Sequence, residues 1–206
     1  MFTGIIQATV PVLKTQQDGT CLLVRITRPL KWRITLGQSI TVDGICSTVV
    51  SSGKSFFDVV YMPETLRKTT AGAFAKESTV NLERSLTMAD PLDGSIVSGH
   101  VDASGKVARI VQEGESWLVS ISYPMKLSQY VASKGSIVVN GVSLTVADTK
   151  KNIFTVALIP YTLEHTNLGS LRKGDQVNIE VDVLARYVVN ALENNPVMKK
   201  EYAAKK

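Results

Sequence analysis

The stretch Ser39-Ile40-Thr41-Val42-Asp43-Gly44-Ile45-Cys46-Ser47-Thr48-Val49-Val50 returns later as Ser136-Ile137-Val138-Val139-Asn140-Gly141-Val142-Ser143-Leu144-Thr145-Val146-Ala147. The offset of about 97 residues then holds beyond the block. Phe57-Asp58-Val59 answers Phe154-Thr155-Val156, and Pro63-Glu64-Thr65-Leu66 answers Pro160-Tyr161-Thr162-Leu163. Val80-Asn81-Leu82-Glu83 answers Val177-Asn178-Ile179-Glu180. Two copies are too few for a solenoid, in which about three or more units must stack to cover an apolar face. Each copy, at roughly 90–100 residues, is long enough to bury a core of its own. The chain reads as a tandem of two similar domains.

Around the repeated block the pattern is one of short strands. Phe2 to Leu13 alternates through Ile6, Ala8, Val10 and Val12, which predicts a strand. Gln17-Asp18-Gly19 turns it into a second, Cys21 to Thr27, as a hairpin. Pro63 opens a short helix, because proline suits the first helical position. Ala89-Asp90-Pro91-Leu92-Asp93-Gly94 is turn-rich and links the copies. Beyond it Ile96 to Ala103 aligns with Met1 to Ala8, at an offset of about 95. Many short strands with turns every ~8–12 residues predict an all-β barrel or sandwich in each copy. After Val183 the period changes. Leu184, Tyr187, Val188, Ala191 and Leu192 recur at helical spacing as far as Pro196, giving a C-terminal helix that the first copy lacks. Its apolar stripe needs cover, from a barrel or from another subunit. The expected divisions are residues 1–92, 93–184 and 185–206.

Composition narrows the function. The net charge of +5 is modest, and much of the excess falls on Lys199, Lys200, Lys205 and Lys206, which read as a solvated tail. Basic patches interleaved with aromatics are not evident, so a nucleic-acid partner is not expected. No apolar run approaches the ~18 residues of a membrane span, and the start of the chain lacks the basic and long apolar regions of a signal peptide. Cys21 and Cys46 are the two cysteines, without metal-ligand spacing around either. That suits free thiols in a reducing compartment, the cytoplasm by default.

In a duplicated chain, residues shared by both copies mostly report the common fold, as turn glycines Gly44 and Gly141 do. Differences mark where one copy has acquired a task. Ile5 corresponds to His100, Cys46 to Ser143, Glu64 to Tyr161 and Ser85 to Asp182, while Thr48 and Thr145 are matched hydroxyls. Each has a structural reading beside the chemical one. Cys46 fits a small buried hydrophobe, Ser143 fits a turn bond, and Asp182 fits a cap on the helix that follows it. A lone histidine, whether His100 or His165, is more often structural than catalytic. By residue type and spacing alone, the chain has two β domains with a polar cluster in each, differing in nucleophile content.

Six ordered motifs carry a more specific signal. They are Met1-Phe2-Thr3-Gly4-Ile5-Ile6, the Gly-x-Cys-x-Thr-Val block from Gly44 to Val49, Pro63-Glu64-Thr65-Leu66, Ser98-Gly99-His100-Val101, Asn140 to Val146, and Val177 to Asp182. Together they closely resemble the riboflavin synthase family, over residues 1 to about 190. The resemblance implies two six-stranded Greek-key β-barrels, a C-terminal α-helix that assembles a homotrimer, and active sites between subunits. It implies a transferase that dismutates two molecules of 6,7-dimethyl-8-ribityllumazine by four-carbon transfer. The products are riboflavin and 5-amino-6-ribitylaminopyrimidinedione, the final step of riboflavin biosynthesis. No cofactor or metal is implied.

Carried over by motif, the first lumazine pocket takes Gly4, Ile5 and Ile6, then Cys46, Ser47 and Thr48, then Val60, Tyr61, Met62, Pro63, Glu64 and Thr65. The second takes Gly99, His100 and Val101, Lys134, then Val142, Ser143 and Leu144, then Ala157, Leu158, Ile159, Pro160, Tyr161 and Thr162. Ser39, Glu64 and Thr65 are candidates for pteridine or ribityl contacts. The implied roles are proton transfer for His100, activation or orientation of substrate for Cys46, Ser143 and Thr145, and an acid/base or orienting role for Asp182. Two residues depart from the family pattern. Ser47 stands where leucine is usual, and Tyr161 stands where glutamate is usual. The rival expectation is a non-catalytic lumazine or flavin carrier of the same fold. Such a carrier is expected to have lost polar residues from one pocket, and here both are furnished.

Overall fold

Strict alternation along the sequence becomes alternating burial in space. The strand Ile45–Ser52 buries Ile45, Ser47 and Val49 and exposes Cys46, Thr48 and Val50, as expected of a sheet wetted on one face. The computed structural model describes residues 1–195. The lysine-rich tail and Pro196 lie outside the described residues.

The first domain contains β1 (Ala8–Asp18), β2 (Cys21–Thr27), β3 (Ser39–Val42), β4 (Ile45–Ser52), β5 (Phe56–Tyr61), the short helix α1 (Pro63–Lys68) and β6 (Thr79–Arg84). The second contains β7 (Ala103–Glu113), β8 (Ser116–Ser122), β9 (Ser136–Val139), β10 (Val142–Lys150), β11 (Ile153–Leu158), α2 (Pro160–His165) and β12 (Gln176–Val181). Helix α3 (Val183–Asn194) follows. Each set of strands closes into an antiparallel barrel, in the order β1-β2-β5-β4-β3-β6 and its counterpart β7-β8-β11-β10-β9-β12. In each, three consecutive hairpin strands are followed by a fourth that returns beside the first of them, which is a Greek key. The bulges match too. They fall at Val12/Lys14 and Val49/Ser51 in one barrel, and at Val107/Arg109 and Val146/Asp148 in the other. Such kinks bend strands enough to close a small barrel. Separate apolar cores fill the two, around Phe57, Ile40 and Leu82 in the first and Phe154, Ile121 and Ile179 in the second.

One expected strand is cut short. The alternation from Phe2 predicts strand continuously to Leu13, but β1 begins at Ala8. Phe2 instead bridges to Val97, with both backbone hydrogen bonds made, and is fully buried beside Val97 and Val138. Residues 1–6 thus leave the sheet of the first barrel and reach across to the second.

The barrels meet along a pseudo-two-fold axis. The turns Asp43-Gly44 and Asn140-Gly141 have positive φ at both residues, the geometry of a type I′ hairpin. They pack back to back, so that a β-carbon on Gly44 would sit 2.7 Å from the Gly141 nitrogen. Asn81 donates its side-chain amide to the Asn140 carbonyl, and Asn178 donates to that of Asp43. The symmetry breaks at two positions, Asp43 against Asn140 and Asn167 against Thr70. Asp43 uses a carboxylate where its counterpart is Asn140, and its Oδ1 accepts from the Asn81 backbone and from Asn167 Nδ2. Burial pushes the Asp43 carboxyl up to about 7.

Candidate active site

Each barrel presents one polar patch on the outside of its wall. In the first, β4 turns Cys46 and Thr48 outward, and Ser39 on β3 sits directly across from Thr48. Val60 on β5 is exposed, and the chain runs through Met62 into α1, where Glu64 pairs with Lys68 at 2.8 Å and Arg67 at 3.2 Å. The Lys68 ammonium foremost holds the Glu64 carboxyl below its usual value. In the second barrel β10 carries half-buried Ser143 and exposed Thr145, with Ser136 across from Thr145. Exposed Ala157 and Ile159 lead into α2. There Tyr161 stacks on His165 with ring centroids 4.0 Å apart, so an aromatic (i, i+4) pair replaces the ion pair of α1. Lys134 has φ +66 and donates its backbone N–H to the Val146 carbonyl, at the edge of this patch.

The glycine arms complete the patches, crosswise. The Gly4 carbonyl accepts from the Ser143 N–H at 2.8 Å, and the Gly99 carbonyl accepts from the Cys46 N–H at 2.8 Å. A β-carbon on Gly99 would lie 2.7 Å from Cys46 Cβ, and one on Gly4 would lie 2.6 Å from Ser143 Cβ. Ile6 packs on the core of the second barrel and Val101 on that of the first. This corrects the grouping drawn from the sequence. Gly4, Ile5 and Ile6 belong with Ser143, while Gly99, His100 and Val101 belong with Cys46. The motif order along the chain follows the copies, but each arm crosses to the other barrel. His100 is therefore exposed beside the Cys46 patch, in a hollow of about 540 Å³ shared with Tyr187 and Asn190 of α3.

Two carboxylates hold the arms. Glu83 accepts from Thr3 N and Oγ1 and from Gly4 N, at 2.6, 2.7 and 2.9 Å. Glu180 accepts from Ser98 N and Oγ and from Gly99 N, at 2.8, 2.5 and 3.0 Å. Burial raises the Glu83 carboxyl against these bonds, which pull it down. The sequence reading missed both as site residues. The signal was present, since a glutamate recurs at the same place in both copies, in Val80-Asn81-Leu82-Glu83 and Val177-Asn178-Ile179-Glu180. A second missed element is the pair Asp102 and Arg186, 2.7 Å apart, whose guanidinium also donates to the His100 carbonyl. Burial raises the Asp102 carboxyl, opposed by the Val181 N–H and by Arg186. Asp182 Oδ1 accepts from Leu184 N and caps α3, and Ser143 Oγ lies 2.7 Å from Ser95 Oγ.

Five expected contact residues turn inward. Ser47, Tyr61, Val142 and Leu158 are buried in the barrels and half-buried Leu144 packs on the second core, so all five offer the wall patches their backbone alone. The reason is strand period: they alternate with outward-facing neighbours. The departure at Ser47 finds its cause here. Its hydroxyl lies 3.0 Å from the Tyr61 phenol and donates to the Ile45 carbonyl, whereas the second barrel has Leu144 and Leu158 at these places. A buried phenol needs a partner, and Ser47 provides it. Ser47→Ala is therefore expected to cost about 1–3 kcal/mol by stranding the phenol. Adding Tyr61→Phe should recover most of it, as read from urea unfolding of the four members of a double-mutant cycle.

Comparison with known proteins now bears on these crossed patches. The lumazine binding domain family matches this chain twice, at residues 3–85 and 98–182. A riboflavin synthase of Actinobacillus pleuropneumoniae is 39% identical over 198 residues, covering 95% of this chain and 92% of its own. The chain belongs to the riboflavin synthase family. The member from Mycobacterium tuberculosis (strain ATCC 25618 / H37Rv) is 42% identical over 200 residues, 91% of this chain and 96% of that one. That of Bacillus subtilis (strain 168) is 36% identical over 194 residues, 93% and 90%. Among solved structures, LumP complexed with riboflavin superposes with a TM-score of 0.82 at 26% identity, covering 88% of this chain and 99% of that chain. LumP with 6,7-dimethyl-8-(1'-D-ribityl) lumazine gives 0.79 over the same shares. The two family matches frame the two barrels. Among the described residues no group of three or more His, Cys, Asp or Glu is placed to hold a metal, and no helix is long and apolar enough to cross a membrane.

Proposed function

We propose that this chain is a riboflavin synthase, dismutating two molecules of 6,7-dimethyl-8-ribityllumazine into riboflavin and 5-amino-6-ribitylaminopyrimidinedione. The observation that carries the reading is the pair of like wall patches with unlike chemistry. One holds Cys46 and Thr48, with the Gly99 arm that carries His100 bonded to Cys46; the other holds Ser143 and Thr145, with the Gly4 arm that carries Ile5 bonded to Ser143. Two copies of one substrate need two similar sites, and transfer of a four-carbon unit from one to the other needs those sites to treat their ligands differently. One lumazine must lose a proton from its C7 methyl, and the other must accept a nucleophile. His100 is assigned the proton transfer. Cys46, Ser143 and Thr145 are assigned activation and orientation, and Asp182 orients by capping the helix that carries Arg186. Holding two substrates in attack geometry would itself supply a large share of the acceleration. The activity is then a transferase activity.

Both patches lie open on the barrel walls, so a second subunit is the natural lid. Leu184, Tyr187 and Val188 of α3 are largely exposed, which supports a helix-mediated homotrimer that sets the first site of one chain against the second site of the next. The free thiols of Cys21 and Cys46 suit a reducing compartment, and we place the activity in the cytoplasm.

The test is incubation of purified protein with 6,7-dimethyl-8-ribityllumazine, following flavin absorbance with neither metal nor cofactor added. One riboflavin per two substrates, turning over many times, is the expected result. Saturable binding with ligand fluorescence and no turnover would make the chain a carrier instead. His100→Ala and Ser143→Ala are each expected to lower kcat by about 10²–10⁴-fold. Turnover near that of the parent in either would remove that residue from the mechanism.

A further inference from the structure

We propose that Glu180 and Glu83 are positioning residues that act across the barrels, each setting the geometry of the active-site patch on the barrel to which it does not belong. Glu180 stands on β12 of the second barrel and is buried. Its two carboxylate oxygens accept from Ser98 N, Ser98 Oγ and Gly99 N. The next residue along is His100, whose N–H donates back to Ser98 Oγ at 3.3 Å. The Gly99 carbonyl meets the Cys46 N–H on the first barrel. A chain of three hydrogen-bonded links thus runs from β12 to Cys46, with His100 inside it. Glu83 on β6 builds the mirror image through Thr3 and Gly4 to Ser143, and the Ile5 N–H donates to Thr3 Oγ1 at 3.1 Å.

An ionised carboxylate is suited to this task because it accepts only, so both oxygens can face N–H and O–H donors. An amide in its place would turn an NH₂ toward one of those donors. The arms have few other ties to the barrels they serve, and a backbone carbonyl that slips by an ångström moves His100 with it. Both glutamates are buried and bonded to the arms. Their effect is transmitted through the arm.

The proposal rests on the riboflavin synthase reading for its catalytic half only, and thiol labelling tests the other half without it. In a Cys21→Ser background, the rate at which a disulfide reagent modifies Cys46 reports the Gly99 arm. Glu180→Gln is expected to raise that rate about tenfold, because the arm that covers the thiol's backbone loosens. Glu83→Gln should leave it unchanged. In the turnover assay each Gln variant should lose about 10–100-fold in kcat with a much smaller change in KM. Ser98→Ala and Ser98→Thr provide a milder pair should Glu180→Gln fold poorly. The threonine, which occupies the mirror position at Thr3, is expected to keep both labelling rate and kcat where alanine shifts them. A Cys46 labelling rate equal in Glu180→Gln, Glu83→Gln and parent, or equal in Ser98→Ala and parent, would overturn the crossed positioning. Shifted labelling in a protein that binds lumazine without turnover would uphold the arm geometry and remove the catalytic reading alone.

Discussion

Gly99→Ala is expected to abolish most turnover, by about a hundredfold or more, while leaving both barrels folded. Two independent features forbid a side chain there. The residue has φ +80, a conformation that costs an L-residue roughly 1–2 kcal/mol. Its added β-carbon would also lie 2.7 Å from Cys46 Cβ and 3.1 Å from Cys46 N, so the hydrogen bond that ties arm to wall must break. Strand β4 is held on both sides by its barrel partners and will not yield. The arm will yield, and His100 moves with it. Gly4→Ala should do the same to the second patch, where the collision is with Ser143. Riboflavin formation, far-UV circular dichroism and thermal unfolding of the two variants check this. A Gly99→Ala protein that folds and turns over at the parent rate would show that the crossed arm has no part in the reaction.

Asp43→Asn is expected to stabilise the protein, and to do so in one direction of pH. The Asp43 carboxyl is raised by burial to about 7, well above its unfolded value near 3.9. Over that window the native state binds the proton more tightly than the unfolded chain does. Stability therefore falls as pH rises from about 4 to about 7, and the loss is complete above that. Below about pH 4 the group is protonated in both states and contributes no slope. Asparagine keeps the Oδ1 acceptor that Asn81 N and Asn167 Nδ2 use, and it carries no charge to desolvate. Asn140, the pseudo-symmetry mate, already does this at the matching turn. The gain should reach roughly 2–4 kcal/mol above pH 7 and vanish near pH 4. Urea unfolding of both proteins at pH 4, 6 and 8 measures it; parallel pH profiles would mean that Asp43 titrates like an exposed carboxylate. The arrangement also suggests why a charge persists at this seam. Asn167 donates to the carboxylate across the inter-barrel boundary, fixing which barrel face meets which, a matter of specificity more than of stability.

Much of this molecule is legible along the chain because the forces that set it are local. Period-two alternation made the strands from β2 to β6 and their counterparts readable. The Asp43-Gly44 and Asn140-Gly141 pairs marked hairpins because a tight turn there demands positive φ. Helix α3 announced itself through its change of period, and Asp182 through its place as a cap. The outward chemistry of Cys46, Thr48, Ser143 and Thr145 was likewise available once the strand period was known. The inward turn of Ser47, Tyr61, Val142, Leu144 and Leu158 followed from the same period, yet a motif carried over whole hides it. Ser47 looked like an unexplained departure because its partner Tyr61 stands on another strand, and only closure of the barrel brings the two hydroxyls together.

The crossing of the arms is of a different kind. Alternation continues smoothly from Phe2 into β1, so nothing local distinguishes a strand that stays from an arm that leaves. The repeat alignment pairs Gly4 with Gly99 and Cys46 with Ser143 as equivalents, but equivalence does not say which of each pair touches which. By itself, the sequence determined two β domains and their strands, through short-range pattern and repeated spacing, and through its ordered motifs the family whose likeness implies barrels. The tertiary structure decided which barrel each arm serves. That choice is made by long-range contacts alone: the bridge of Phe2 to Val97, the single bonds from Cys46 to Gly99 and from Ser143 to Gly4, and the two buried glutamates that hold the arms in place.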